Sequence, residues 1–173
     1  MTEEEQKPKE IREITIRVAD ASDAHKIYPL FKKHMKYECP HLPEPIANHA
    51  LPWLTDLCVN GLVLVADMGG TLVGCVGGKP GIYPWNRTQP FLYGELFCLL
   101  PEYAKHGAGP ALLGKLRRHA NLSMVDCLFY WLGSSALDEK QRLMHMDGFV
   151  DCGGVLFLKA MRQSEEPVKE TLH

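Results

Sequence analysis

Hydrophobic and polar positions alternate with a period of two along Ile14-Thr15-Ile16-Arg17-Val18, which predicts a short first strand. The period then lengthens. Asp20, with Asp23 three residues on, forms a capping-box pattern ahead of a helix whose buried stripe is Ile27, Leu30, Phe31 and Met35, and Pro29 inside it predicts a kink. Residues 39–45 carry three prolines and read as a stiff connector, and residues 46–59 read as a second helix that contains Pro52. Asn60-Gly61 stops it, a strand follows over 62–67, and Gly69-Gly70 turns the chain into a strand over 71–76 that can continue to Tyr83. Residues 84–90, with Pro84, Trp85 and Pro90, read as a loop before a strand over 91–100.

The pattern changes again after Pro101. Gly107 and Gly109 permit a tight turn, and Leu112, Leu113, Leu116 and Ala120 recur at helical spacing, with Pro110 in the first turn where its missing N–H is tolerated. A strand over 126–132, a helix opened by a Ser135-x-x-Asp138 capping box and closed by Gly148, and two strands, 149–151 and 155–161, around Gly153-Gly154 complete the pattern. The predicted order is β-α-α-β-β-β-α-β-α-β-β, a mixed α/β fold. Residues 1–12 read as a solvated arm, 13–162 as one domain and 163–173 as a flexible tail.

Composition adds limits. The chain has 173 residues, 46% of them hydrophobic and 23% charged, which suits one domain with a real core. A formal net charge of −2 argues against nonspecific attraction to nucleic acid or an anionic membrane. The acidic opening MTEEEQKPKE lacks the basic-then-apolar pattern of a secretory leader, and the cysteines are scattered without a CxxC pair, so a cytoplasmic protein with reduced thiols is expected. His34, His41 and His49 lie too far apart for a zinc motif, and no HExxH occurs, so no metal is expected.

The segment from Glu95 to Arg118 carries the chemistry. An apolar strand runs into a glycine turn and then a helix, whose unpaired N–H groups and positive dipole end attract phosphate. There is no GxGxxG in an early βαβ unit and no GxxxxGK[ST], so neither a dinucleotide fold nor a P-loop is supported. Ala104-Lys105-His106-Gly107-Ala108-Gly109 resembles the Gln/Arg-x-x-Gly-x-Gly/Ala loop of the GNAT acetyltransferase superfamily, with both glycine positions kept and Ala104 in place of the leading polar residue. The opening Ile16-Arg17-Val18-Ala19-Asp20, the Val63-to-Cys75 hairpin and the closing Gly148-Phe149 extend that resemblance over about residues 14–161.

The resemblance implies direct transfer of an acetyl group from acetyl-CoA to an amine. It places pantetheine against the backbone of Leu99 and Leu100, and the pyrophosphate on N–H groups of Lys105, His106, Gly107, Ala108, Gly109 and Ala111. It also puts Glu95, the only acid of strand 91–100, where many members have the base that deprotonates the amine; burial on a central strand would raise its pKa. Tyr93 shares that strand face and can orient substrate or relay a proton. The family's usual tyrosine acid is replaced by Met144, and the usual asparagine by Leu137, which leaves solvent or His145 to assist the leaving thiolate. Cys98 reads as a core residue rather than a nucleophile.

For the acceptor, the expected cleft elements offer Tyr28, Tyr37, Trp53, Tyr83, Trp85 and Asp151, with Tyr28 and Trp85 as the leading candidates. The partner is an amine-bearing small molecule or a protein amino group, and a homodimer is allowed. A noncatalytic acyl-CoA-binding or protein-interaction domain remains the alternative, kept open by Ala104, Leu137 and Met144.

Overall fold

A computed structural model describes residues 13–130, 137–152 and 155–158. The element order is β1 (Thr15–Val18), a 3-10 turn (Ala21–Asp23), α1 (Ala24–Glu38), α2 (Ala47–Asn60), β2 (Leu62–Met68), β3 (Thr71–Tyr83) and β4 (Asn86–Leu99). There follow α3 (Pro101–Ala104), α4 (Ala108–Ser123), β5 (Asp126–Tyr130), α5 (Leu137–Met146), β6 (Val150–Cys152) and β7 (Val155–Leu158). The strands form one mixed sheet in the order β1-β2-β3-β4-β5-β7-β6, in which only β4 and β5, among the described strands, run parallel.

Helices cover both faces of the sheet. Val63 and Val65 pack with Ile27, Leu30, Leu54 and Leu57 under α1 and α2, whereas Leu64 and Ala66 pack with Leu112, Leu113 and Leu116 under α4. A strand buried on both sides must be apolar at successive positions, which is why 62–66 reads as a continuous run. Each of these leucines contributes roughly 1.5–3 kcal/mol by leaving water.

The capping box at Asp20 forms as expected. Its side chain accepts the Ser22 N–H, and Asp23 accepts the Asp20 N–H while pairing with Arg17, whose guanidinium holds the Asp23 carboxyl below its ordinary pKa. The buried stripe of α1 runs through Ala24, Ile27, Leu30 and His34, with Phe31 and Met35 half-buried beside it. Pro29 and Pro52 both lie inside continuous helices.

Two readings change. Residues 86–90 belong to β4 rather than to a loop, because Pro84-Trp85 alone turns the hairpin and a three-residue register shift between Ile82↔Pro90 and Tyr83↔Asn86 absorbs the remainder. The single turn α3 was not anticipated; Pro101 starts it. Ser135, Gly153 and Gly154, and the proposed arm and tail, lie outside the described residues. Among the described residues, no helix is long and apolar enough to cross a membrane, and no group of three or more His, Cys, Asp or Glu could hold a metal.

Candidate active site

β4 loses its regular pairing on both edges at nearly the same residue. Toward β3 the register passes from Gly78↔Gly94 to Gly77↔Leu96, so Glu95 has no opposite number and forms a bulge. Toward β5 the parallel ladder covers Phe91 to Gly94 and ends at Gly94↔Phe129, so residues 95–99 continue without β5. Glycines make this possible. A Cβ on Gly78 would lie 1.8 Å from the Tyr93 carbonyl oxygen, one on Gly77 2.2 Å from that of Leu62, and one on Gly94 within 2.3 Å of the Phe129 ring. Strand glycines of this kind mark close backbone approach, and that signal was present in the sequence at 77, 78 and 94.

Where β4 and β5 part, a cavity of about 250 Å³ opens, lined by Glu95, Trp53, Phe31, His34, Phe97 and Lys140 among others. Glu95 Oε2 accepts a hydrogen bond of 2.9 Å from Trp53 Nε1, and the Trp53 ring leans on Phe31 with centroids 5.3 Å apart. The Glu95 side chain is exposed, so the burial expected of it is absent: the bulge aims it out of the sheet into the open cleft. Tyr93 shares that face, also exposed.

At the far end of β4 lies a second cavity of about 240 Å³, lined by Leu99, Pro101, Ala104, Lys105 and Leu143, with Phe97 and Lys140 in common with the first. Leu100 donates its N–H to Val73 O, so strand alternation turns the N–H and C=O of Leu99 to the side β5 has left. Leu100 itself offers nothing there: its N–H is on Val73 and its carbonyl accepts from Tyr103.

The glycine turn also narrows. The N–H of His106 turns back onto the Tyr103 carbonyl, and Ala111 donates to Gly107 O as the first bond of α4. That removes His106 and Ala111 as backbone donors. The N–H groups of Gly107, Ala108 and Gly109 are those a helix start leaves outward, with Pro110 contributing none. Gly107 has φ 78°, a left-handed conformation that only glycine adopts without strain, and open space surrounds its Cα. The exposed side chains of Lys105 and His106 stand beside it, each able to donate a hydrogen bond to an anion. Such a helix start offers backbone donors to an anion.

The acceptor candidates separate. Tyr28 donates to Pro45 O at 3.1 Å and ties α1 to the connector, away from the cavity. Trp85, 82% exposed, caps the β3–β4 hairpin tip and stacks on Tyr83 at 5.3 Å. Trp53 is the aromatic residue from the same group that reaches Glu95. The sequence marks His34 only as one of three widely spaced histidines and Lys140 not at all, since a polar side chain on a helix ordinarily faces water.

The alternatives for acid and nucleophile are also placed. Met144 is fully buried in the core beneath α4, and His145 faces outward, 3.2 Å from Asp151. Cys98 is buried opposite Cys75, and burial pushes its thiol well up, which leaves no thiolate to attack an acyl group.

A bulged, half-unpaired central strand thus leads from a carboxylate to a glycine-built helix start. Residues 24–146 match the Acetyltransferase (GNAT) family, and the chain belongs to it. Among solved structures, it is similar to a GNAT-family acetyltransferase from Streptococcus pneumoniae, with TM-score 0.66, 17% identity and coverage of 86% of this chain and 100% of that one. It is also similar to yncA from Salmonella typhimurium, solved with its cofactor acetyl-CoA, with TM-score 0.66, 17% identity and coverage of 88% and 96%. The paia N-acetyltransferase from Thermoplasma acidophilum, in complex with coenzyme A, aligns with TM-score 0.59 at 16% identity over 87% and 99%. At these identities the likeness is one of fold. No curated protein matches the chain by sequence.

Proposed function

We propose that the protein is an N-acetyltransferase that moves an acetyl group directly from acetyl-CoA to an amine held in the cleft at Glu95. The observation that carries this reading is the course of β4: its pairing breaks on both edges at Glu95, and its open stretch runs to the donors of Gly107, Ala108 and Gly109. Acetyl-CoA supplies the activated thioester. The chain supplies the rest. Gly107 to Gly109 hold the pyrophosphate, the open backbone of Leu99 aligns the donor along β4, and Glu95 takes the amine proton, directly or through one water, while Trp53 fixes the carboxylate. Tyr93, on the same face, orients the acceptor.

The cavity's apolar lining by Phe31, Met35, Trp53 and Phe97 favours an amine carried on an apolar or aromatic body. A noncatalytic acyl-CoA-binding role draws support from Met144, which is buried in the core where the resemblance expects an acid. Two measurements separate the readings. Acetyl-CoA should raise the melting temperature in either case, whereas thiol release with a panel of amines occurs only if transfer takes place. The absence of both would overturn the acyl-CoA reading itself.

A further inference from the structure

An amine that attacks a thioester expels a thiolate, and something must accept that charge. The last turn of α5 does not: Met144 cannot donate, and His145 is turned to Asp151. One helical turn earlier on the same face stands Lys140, 8% exposed. Its Nζ lies 3.4 Å from Glu38 Oε2 and 3.3 Å from His34 Nε2, and 5.9 Å from the centre of the Phe97 ring. Lysines are rarely buried to this degree, and a buried ion pair adds little to stability, so the placement asks for another reason.

Position supplies one. A donor anchored at Gly107 to Gly109 and delivered to Glu95 must pass from the second cavity into the first, and Phe97 and Lys140 are the residues that line both. A thioester that presented its carbonyl to an amine at Glu95 would bring its sulfur toward these two residues. We propose that Lys140 is a catalytic residue, whose ammonium receives the negative charge of the departing CoA sulfur. The step balances: the amine nitrogen forms the C–N bond, its proton passes to Glu95, the C–S electron pair leaves with sulfur, and the ammonium stabilises that thiolate until it is protonated.

His34 completes the arrangement. Its Nε2 faces the lysine, so the ring accepts there and carries its own proton on Nδ1, which is buried and has no partner. Burial, and then Lys140, hold His34 down to about pKa 4, so the ring stays neutral and does not compete for the thiolate. Around the ammonium, Glu38 offers the standing counter-charge from α1, Glu95 and the Cys98 thiol lie on β4, Cys39 follows α1, and Glu139 and Lys105 stand at the mouth of the second cavity.

This inference rests on the acetyl-CoA reading above, and the test keeps the two apart. Free CoA is bound to the intact protein and its thiol titrated by thiolate absorbance. An ammonium beside the sulfur lowers the bound thiol's pKa below that of free CoA. Lys140→Met should abolish the shift and reduce kcat with acetyl-CoA by about 10²-fold, with a much smaller loss on an acetyl thioester of a more acidic thiol, which leaves without help. Lys140→Arg should retain most of the pKa shift. CoA bound with an unshifted thiol in the wild-type protein would overturn the proposal while the acetyl-CoA reading stands, and this arm needs no variant to fold. Equal rate losses of Lys140→Met on both thioesters would also overturn it. No CoA binding at all would remove both.

Discussion

The two edges of β4 have opposite characters. Toward β3 the ladder runs from Tyr83↔Asn86 to Gly74↔Leu99, interrupted by register shifts but held along its length; toward β5 it covers four pairs and stops. One edge fixes the strand in place, and the other leaves room for a ligand. A strand can present open backbone to a substrate only if its opposite edge keeps it ordered. The bulge at Glu95 lies where these characters meet, and it turns a strand residue into a cleft residue.

The sharpest test of that division acts at the bulge. Glu95→Gln keeps size and hydrogen bonding, so acetyl-CoA affinity should change little while kcat falls by roughly 10²–10⁴-fold, and higher pH should restore part of the rate by deprotonating the amine beforehand. Steady-state kinetics decides it, and wild-type turnover at neutral pH would remove Glu95 from the mechanism. On the held edge, Gly78→Ala sets a Cβ against the Tyr93 carbonyl, a rigid backbone contact. The expected cost is about 1–3 kcal/mol, at the upper end because backbone cannot move aside as a side chain does. Chemical denaturation measures it. A neutral result would mean that the bulge can be rebuilt without glycine.

At the junction of the two cavities the expected effect is pH-dependent. His34 titrates near 6.5 when unfolded and about 4 when folded, so the native state binds fewer protons between those values. Stability conferred by the neutral ring is complete above pH 6.5 and is lost as pH falls toward 4, by up to about 2–3 kcal/mol. His34→Gln should flatten that slope in denaturation curves taken across the same window; an unchanged slope would assign the acid sensitivity elsewhere. The smallest effect belongs to Trp53→Phe, which keeps the ring against Phe31 but removes the N–H that holds Glu95. On this exposed contact the loss should be about 1 kcal/mol, near fivefold in kcat. A loss as large as that of Glu95→Gln would give Trp53 a larger part than orientation.

Local chemistry made most of the fold legible. The Asp20 cap, the Gly69-Gly70 turn and the apolar stripe of α4 each depend on residues close in sequence, and each appears where the pattern puts it. The glycine turn was legible for the same reason, though the number of its open donors was not, since that depends on which N–H groups Tyr103 and Gly107 capture. Of the cleft, Glu95 was legible as a residue, and Trp53 only as one of several aromatic candidates. Trp53, His34 and Lys140 come from α2, α1 and α5, and their meeting depends on how far β5 diverges from β4, which no local pattern encodes. Tyr28 and Trp85 are aromatic residues in the expected elements. Neither lines the cavity at Glu95, since Tyr28 bonds the connector and Trp85 sits at a hairpin tip.

The cysteines bear on how this protein can be assayed. Cys58 is pushed up to about pKa 11 and Cys127 to about 12 by burial, Cys98 is raised well above its ordinary value by burial and then by Cys75, and Cys39 is raised as well. At neutral pH these four thiols are protonated, and all but the half-buried Cys58 are enclosed, so a chromogenic disulfide reagent meets little thiolate from them while the fold is intact. Added during turnover, such a reagent should count CoA as it is released; added to denatured protein, it should count the chain's own sulfur. The same measurement therefore serves as a clock for catalysis and, once turnover has stopped, as an alarm for unfolding.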